Sequence, residues 1–213
     1  MASVKTITEQ IYDSIYALIL DGTYPPGTRL TTKILQEDLG VSSSPIREAL
    51  TRLQQDGLVD YQPNSGMSVR CYSEQDVCNL FRLMSDMDAL ALRYALESSL
   101  SESVLERLKK NTRATGALLF DTDIEEWHML SDKFHTIITD ASGNLFLKES
   151  LQRIYRHITV FSIKYVSASE SRERIQMEHE RIAELLDAGS NDEAVEAYRV
   201  HVLSSMKEAP KCL

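Results

Sequence analysis

The stretch Val41–Val59, VSSSPIREALTRLQQDGLV, decides how the first third of the chain folds. Its three serines supply side-chain oxygens, which can cap a helix by accepting a hydrogen bond from a backbone N–H of the first turn. Proline is favoured in a first turn because its fixed φ suits the helix and its missing N–H has no intrahelical partner there. We therefore predict a helix that is capped by Ser42, Ser43 or Ser44 and has Pro45 in its first turn.

This predicted helix has an apolar face and a polar one. Ile46, Leu50 and Leu53 are spaced to pack together on neighbouring helices, whereas Arg47 points away from them. A helix N-terminus with hydroxyls and free N–H groups suits a phosphate, and an arginine one turn into the helix can reach a guanine edge. The stretch therefore predicts a DNA-contacting helix.

The flanking sequence supplies two more helices and a hairpin. Apolar residues recur at helical spacing over Thr6–Asp21, and the segment DGTYPPG breaks this helix. A short helix capped by Thr31 or Thr32 then ends at Gly40. Strands are predicted at 58–62 and 67–71, joined by a Pro-Asn-Ser-Gly turn. Residues 1–72 thus predict a winged helix-turn-helix.

Residues 73–213 change character and read as helices throughout. The predicted helices are 73–98, 101–120, 123–141, 144–167, 170–188 and 191–208. Short loops between helices favour antiparallel neighbours. The predicted fold class is mainly α, with an N-terminal winged helix-turn-helix and a C-terminal antiparallel bundle of six to seven helices.

Composition limits the partners that the chain can have. The net charge is −9, of which residues 1–70 contribute −2 and residues 71–213 contribute −7. Bulk charge therefore gives no sign of a nucleic-acid partner, and any DNA contact depends on individual cations. No apolar run approaches the roughly 20 residues that span a bilayer. The odd number of cysteines, Cys71, Cys78 and Cys212, predicts no disulfide framework. We expect a cytoplasmic protein without a membrane partner.

The segment PPGTRLTTKILQEDLGVSSSPIREALTRLQQDGLVDYQPNSGMSV closely resembles the N-terminal domain of GntR-type bacterial transcription regulators. The resemblance covers about residues 8–71, and it implies that Arg47 is the recognition-helix arginine. It also implies that Lys33 contacts DNA and that Ser65 and Gly66 form a wing tip in the minor groove. Ser43 stands where the family usually has an arginine, so a major contact is replaced by a hydroxyl.

The candidate DNA-binding residues are Lys33, Ser42, Ser43, Ser44, Arg47, Arg52, Ser65 and Gly66. Alternatives remain open at several of these positions. Arg47 could form an ordinary surface ion pair, and Arg52 could be a solvated helix residue. Arg29 could contact a phosphate or cap the second helix.

Histidines in the second half suggest a metal site. His135, His179 and His201 lie on three predicted helices, and the 22 residues from His179 to His201 correspond to one helix, a turn and a return. Imidazoles on facing helices, with a carboxylate, commonly bind a divalent metal. The spacing alone also fits ordinary core or surface histidines.

The segments FHTIITDASGN and EHERIAELLDAGSNDEAVEAYRVHV resemble the FCD ligand-binding domain of the FadR branch of the GntR family, over about residues 74–208. This resemblance implies a divalent metal ion, such as zinc or nickel, held by an aspartate and by His135, His179 and His201. The family's aspartate lies four residues before the first histidine, where this chain has Ser131. Asp132, three residues before, lies on the same helix face and is the candidate ligand; Ser131 or water is the alternative.

Two further residues are candidates for binding an effector. The opening LFRLMSDMDALALRYA fits the first FCD helix and places Arg82 four residues before Asp86. Arg82 could anchor an effector carboxylate or pair with Asp86. His157 could face the same cavity or belong to the core, and His128 is expected on the surface.

These resemblances predict a regulator rather than an enzyme. We expect a homodimeric transcription regulator, acting as a repressor, that binds double-stranded operator DNA and responds to a small-molecule effector, such as an organic acid. Two alternatives remain at this point. One is a metal-dependent hydrolase or lyase in the helical part, since three histidines leave coordination positions open. The other is a metal sensor in which the ion is the effector.

Overall fold

A computed structural model describes residues 5–63, 65–98, 101–121 and 123–212. It divides into two compact units, Met1–Tyr72 and Ser73–Leu213, which we call the head and the body. Within the described residues, no helix is both long enough and apolar enough to cross a membrane.

The head contains helices around a small antiparallel sheet. Its elements are α1 (Ile7–Leu20), β1 (Arg29–Leu30), α2 (Thr32–Leu39), α3 (Ser43–Gln55), β2 (Val59–Gln62) and β3 (Gly66–Val69). The sheet order is β1-β3-β2, with Val59 opposite Val69 and Arg29 opposite Ser68. The predicted hairpin is present, and β1 is an additional strand. Ile15, Leu35 and Ile46 are fully buried in the core.

Local chemistry sets the helix boundaries in the head. Thr6 and Glu9 form a capping box at the start of α1, and the Thr31 hydroxyl accepts a hydrogen bond from the backbone of Ile34 at the start of α2. Gly40 ends α2 in the left-handed conformation, with φ of 66°. Ser42 occupies the cap position of α3, but its hydroxyl makes no capping hydrogen bond within the described residues.

The body is a helical bundle that ends in a 3-10 turn. Its elements are α4 (Glu74–Glu97), α5 (Glu102–Ala117), α6 (Ile124–Ala141), α7 (Leu145–Tyr165), α8 (Ser169–Asp187), α9 (Asn191–Ser205) and a turn at Ala209–Cys212. The predicted mainly α fold, with a winged helix-turn-helix head and a helical body, is therefore confirmed. Six α-helices of the body lie within the described residues.

Helix α4 is central to the bundle, since it packs against α6, α7 and α9, while α8 packs against α9 and α5. Large buried side chains, including Phe81, Phe134 and Tyr198, fill the space between these helices. The arrangement brings residues of α4, α6, α8 and α9 to one level of the bundle.

Candidate functional site

The outer face of α3 presents polar groups near its N-terminus. Arg47, Ser42 and Ser44 are exposed and Ser43 is half-buried, while Ile46 behind them is fully buried. Because Ser42 leaves the first turn without a side-chain cap, backbone N–H groups there can donate to a phosphate. This end of α3 combines hydroxyls, free donors and one guanidinium on a single face.

The other two cations predicted to contact DNA differ in their surroundings. The guanidinium of Arg52 lies over the ring of Tyr12 at 5.5 Å and 3.9 Å from a carboxylate oxygen of Glu9. Arg52 is thus engaged with α1. Lys33 is 86% exposed, with its ammonium 3.9 Å from Glu37 on the same helix, so its side chain is available to an external partner.

The tip of the β2–β3 hairpin is small and polar. Ser65 is exposed, and its backbone N–H donates to the carbonyl of Gln62 at 3.1 Å. Gly66 has φ of 83°, a conformation that favours glycine. Asn64, in the predicted turn, lies outside the described residues. The two hairpin residues predicted to contact DNA, Ser65 and Gly66, therefore lie where β3 begins.

The three histidines of the body meet in its core. His179 Nε2 lies 3.1 Å from His201 Nε2, which lies 3.4 Å from His135 Nε2. Metal–imidazole bonds of about 2.0–2.1 Å in a tetrahedral site place ligand nitrogens about 3.3–3.4 Å apart. The two measured separations, 3.1 and 3.4 Å, are close to these values, and the ligand atoms of all three histidines lie within 4.8 Å of one another, so together they form a group that could hold a metal ion.

Carboxylates behind two of the rings orient them. His135 Nδ1 lies 3.3 Å from Asp88 and 2.9 Å from the Tyr198 hydroxyl, and His201 Nδ1 lies 2.6 Å from Glu178. An ionised carboxylate can only accept, so it favours a proton on Nδ1 and leaves the Nε2 lone pair free. Two lone pairs then face each other, and a cation between them removes their repulsion.

Burial lowers the pKa of His179 and of His201, while Glu178 beside His201 stays ionised. Burial, reinforced by His201 and His135, holds the pKa of His179 well below 6.5. Burial alone would raise the pKa of Glu178, but its hydrogen bond to His201 and the nearby charge of Arg174 lower it. Neutral imidazoles are the form that binds metals.

His179 differs from the other two rings in its support. Its ring stacks on Phe134 with centroids 4.1 Å apart, and its buried Nδ1 has no hydrogen-bond partner among the described residues. Packing rather than a carboxylate therefore orients this imidazole. An unpaired buried nitrogen costs free energy, so this ring is held at the site without the hydrogen bond that supports each of the other two.

The structure does not bring Asp132 to the histidines. Its side chain is 54% exposed, lies 3.6 Å from His128 Nδ1 and is not part of the three-histidine group. The acid nearest to His135 is Asp88 on α4, which is fully buried and also accepts a hydrogen bond from Tyr155. The carboxylates that support the site thus come from α4 and α8, not from α6.

A cavity of about 50 Å³ adjoins the histidines and is lined by His135 and His201 among others. An open cleft of about 320 Å³ continues from it past Asp132 and Arg156. Neither predicted effector residue reaches the cavity, since Arg82 is exposed on α4 and His157 is buried elsewhere.

Two further expectations about the body differ from the structure. Asp86 pairs with Arg199 of α9 at 3.0 Å, a contact between helices, whereas pairing with Arg82 was one of the two alternatives considered for that arginine. His128 was expected on the surface, but it is buried and its Nε2 lies 2.7 Å from the Ser162 hydroxyl. His128 and Ser162 both line the cavity.

Comparison with known proteins assigns the head and the body to known families. Residues 7–69 match the family model described as bacterial regulatory proteins, gntR family, and residues 79–204 match the FCD domain. The HTH-type transcriptional regulator YdhC of Bacillus subtilis (strain 168), described as uncharacterized, is 30% identical over 92% of this chain and 85% of that protein. The chain belongs to the GntR family. Its body is an FCD domain.

More distant relatives share the same organisation. The repressor GlaR of Escherichia coli (strain K12) is 23% identical over 87% of this chain and 88% of that protein. The solved structure of E. coli McbR/YncC, 23% identical, superposes with a TM-score of 0.75 over 96% of this chain and 95% of that one. A putative GntR regulator from Rhodococcus sp. RHA1, 18% identical, gives 0.77 over 97% and 98%. These two structures support the fold.

The relatives and both families are transcription regulators rather than enzymes. This GntR-family regulator also contains residues that hold the histidines in place and that were not identified from the sequence. Asp88, Tyr155 and Tyr198 surround His135, and Glu178 supports His201. Asp88 could have been found, because it occupies a core-spaced position on α4 where an apolar residue is expected.

Proposed function

We propose that this GntR-family transcription regulator is a homodimeric repressor whose affinity for operator DNA depends on a metal ion and a small-molecule effector bound in the body. The convergence of three imidazole nitrogens beside a cavity carries this proposal. It supports a ligand site in the FCD domain, the part of the chain that does not resemble a DNA-binding module.

We propose that the head reads DNA through α3 and the hairpin. Arg47 would contact a base edge in the major groove, while Ser42, Ser43 and Ser44 would contact phosphates. These assignments are supported by their shared exposed or half-exposed face. The remaining predicted contacts are Lys33, Arg52, Ser65 and Gly66. Among them, Arg52 contributes to packing on α1 as well as to positive charge near the DNA.

We propose that His135, His179 and His201 hold one divalent ion, zinc or nickel. Three nitrogen ligands suit either metal and leave coordination positions open for an effector. Bound there, the ion would supply a Lewis-acidic position beside the cavity. Asp88 and Glu178 would orient two of the ligand rings, as carboxylates behind metal-bound histidines do in other proteins.

A stripe on α4 supports the homodimer. Leu83 is 51% exposed and Leu90 is 37% exposed, and half-buried Leu80, Met87 and Tyr94 fall at alternating spacings of three and four along the same helix. A two-fold contact places the same patch on both copies, and this spacing suits helix pairing. Two heads would then meet successive major grooves of a pseudo-palindromic operator, about 34 Å apart.

The effector would act by linkage. A ligand changes DNA affinity only if it binds the DNA-competent and DNA-incompetent arrangements with different affinities. Repression is supported by two relatives, GlaR and RspR of E. coli, that are named repressors. We propose that the effector relieves this repression.

The test is fluorescence anisotropy with labelled DNA from upstream of the protein's own gene. Metal-loaded and chelator-treated protein are compared, and metal content is measured in each sample. We expect specific binding with close to one ion per chain, and loss of the ion in a His179→Ala/His201→Ala variant. Absence of metal from protein purified without chelator contradicts the metal proposal. DNA affinity that follows the ion alone, without any organic ligand, identifies a metal sensor instead.

A further inference from the structure

The lysines and arginines of the head differ in whether an acid already neutralises them. Six of these residues occur in residues 1–70, and four of them have a carboxylate oxygen at 2.7–4.0 Å, namely Lys5, Lys33, Arg52 and Arg70. The other two, Arg29 and Arg47, are exposed, and neither side chain has a hydrogen bond or an ion pair within the described residues. Arg47 is the proposed major-groove contact, which leaves Arg29 as an unpaired arginine of the head with no role assigned to it.

The side chain of Arg29 lies along the hairpin. Arg29 is on β1, opposite Ser68 of β3, and its neighbour Leu30 is 2% exposed and belongs to the core, which leaves Arg29 on the outer face. The guanidinium reaches Gly66, where its Nε and Nη2 atoms lie 3.9 Å from the position that a Cβ would take. Gly66 is two residues from Ser68 along β3, a distance of about 6.8 Å toward the turn. The positive charge of Arg29 therefore lies at the end of β3 where the hairpin turns.

The hairpin has no charge of its own at this end. The segment Tyr61–Val69, YQPNSGMSV, contains no lysine, no arginine and no acid. Its polar groups are amides and hydroxyls, which can donate to DNA but do not add to the electrostatic attraction of the phosphates. The guanidinium beside Gly66 thus gives the hairpin a positive charge that comes from a different strand.

Arg70, which follows β3, is engaged within the head. Its guanidinium donates to the carbonyl of Gly57 at 3.2 Å and lies 4.0 Å from a carboxylate oxygen of Asp60. It also lies 5.6 Å from the centre of the Tyr72 ring. Because Arg70 neutralises Asp60, the acid of strand β2, the guanidinium of Arg29 keeps its charge available to an external partner.

The minor groove of DNA suits an unpaired guanidinium of this kind. A run of A·T pairs narrows this groove and strengthens its negative potential, which attracts arginine. Arginine is more weakly hydrated than lysine, and its planar fork can donate to the adenine N3 and thymine O2 acceptors on the floor of the groove. A G·C pair adds an amino group there, which places a second donor in the path of the arginine.

We propose that Arg29 reads the minor groove of the operator, at A·T pairs that flank the segment read by α3. The bare backbone of Gly66 lets the guanidinium lie against the hairpin, and the hairpin carries it into the groove. The head then has two base-reading arginines, Arg47 in the major groove and Arg29 in the minor groove. This inference rests on the proposed binding of DNA through α3 and the hairpin.

Two other roles of Arg29 follow from its position before α2. The first is to cap this helix, but the cap is made by the Thr31 hydroxyl, which accepts from the backbone N–H of Ile34. The second is to contact a phosphate. A phosphate contact carries no sequence information directly, so it is the competing outcome that the experiment has to separate from base reading.

The experiment uses the full chain and labelled DNA from upstream of the protein's own gene. Hydroxyl-radical footprinting maps the protected segment, and each flanking A·T pair is then replaced by G·C or by inosine·cytosine. Inosine lacks the amino group of guanine, so inosine·cytosine keeps the minor-groove pattern of an A·T pair. We expect G·C at one flanking position to weaken binding at least about fivefold, and inosine·cytosine at the same position to weaken it less than about twofold. Equal effects of the two replacements at every flanking position would overturn the proposal.

Substitutions of Arg29 connect this preference to the residue. Arg29→Ala should bind the original DNA at least about fivefold more weakly and should bind the original and the G·C-substituted DNA within about twofold of each other. Arg29→Lys keeps the charge without the fork, so it should keep the salt dependence of binding and lose most of the preference for A·T. Arg107→Ala removes the same charge from an exposed position of α5 in the body. It is the control and should leave both affinity and preference unchanged, and circular dichroism checks the fold of each variant.

The outcomes separate this inference from the proposed function. If Arg29→Ala weakens binding to all these DNA sequences equally, the arginine contacts a phosphate and the minor-groove assignment is wrong. If Arg29→Ala changes neither affinity nor preference, the residue has no role in DNA binding. Arg47→Ala is measured on the same DNA. If it has no effect either, the proposed reading of DNA by α3 fails, whereas a loss of affinity in Arg47→Ala alone contradicts only the present inference.

Discussion

Replacing Asp88 by asparagine tests how the metal centre is built. The substitution keeps the shape of the side chain and an oxygen that can accept from Tyr155, but it removes the negative charge facing His135 Nδ1. The new amide can donate to Nδ1, which moves the ring proton to Nε2, the atom that faces the other two histidines. We expect the variant to fold and to bind zinc more weakly.

The expected loss can be estimated from similar sites. Removing the partner behind a metal-bound histidine typically costs 10- to 100-fold in metal affinity, about 1.4–2.8 kcal/mol. Asp88 is fully buried beside the ring, so solvent does not screen this interaction as it would at the surface. Competition with a chromophoric chelator at neutral pH measures the affinity, and circular dichroism checks the fold.

Asp86→Asn is the matched control. Asp86 lies two residues earlier on α4, and its side chain is 63% exposed and pairs with Arg199 at 3.0 Å. An exposed pair of this kind contributes about 0–1 kcal/mol to stability, and it lies outside the histidine group, so zinc affinity should stay within about twofold of the original. A folded Asp88→Asn variant with unchanged zinc affinity would refute the role given to Asp88.

Three further predictions concern DNA binding, metal binding and stability. Arg47→Ala should weaken specific DNA binding by about 1–3 kcal/mol in anisotropy titrations, and an unchanged affinity would argue against a base contact. Arg52→Ala also loses the contact of Arg52 with Tyr12, so it should in addition lower the unfolding temperature of the protein. Zinc at about 1,000 times its Kd should raise the free energy of unfolding by about 4 kcal/mol, which corresponds to a rise in Tm of about 8–16 °C over chelator-treated protein in scanning calorimetry. An unchanged Tm would contradict a structural ion. Arg172→Met should lower the free energy of unfolding in urea by about 3 kcal/mol, because the buried guanidinium donates to the carbonyls of Leu119 and Val166, and a loss below about 1 kcal/mol would refute this role.

The head could be predicted largely from local chemistry. The glycine that ends α2 and the proline in the first turn of α3 act within a few residues of chain, so Gly40 and Pro45 fix these boundaries. Strand β1 was missed because its two residues, Arg29 and Leu30, are a strand only through pairing with β3. Such pairing between distant residues leaves little local pattern.

The group of three histidines proposed to bind a metal was predicted in part. The histidines followed from their spacing and from the FCD resemblance, but the choice of carboxylate depended on side-chain direction. Residues three and four positions before His135 point about 60° to one side of it and about 40° to the other. The structure buries Ser131 on the cavity wall and leaves Asp132 half exposed near His128.

The supporting acid came from a different helix. Asp88 belongs to the buried series of α4 that includes Phe81, Met84 and Ala95. Apolar spacing alone marks this position as core, where an acid is rarely buried without partners. The contact between Asp88 and His135 depends on how α4 packs against α6. No sequence pattern within either helix specifies this packing.

The hydroxyl-rich start of α3 has a consequence for how the regulator searches a chromosome. Each phosphate contact made by a cation releases counterions, so a surface with few cations binds random DNA weakly and with a shallow dependence on salt. Here Ser43 stands where a cation is usual, and residues 1–70 carry a net charge of −2. The protein should therefore leave non-operator DNA quickly, and its operator occupancy should change little when osmotic stress alters the ionic strength of the cell.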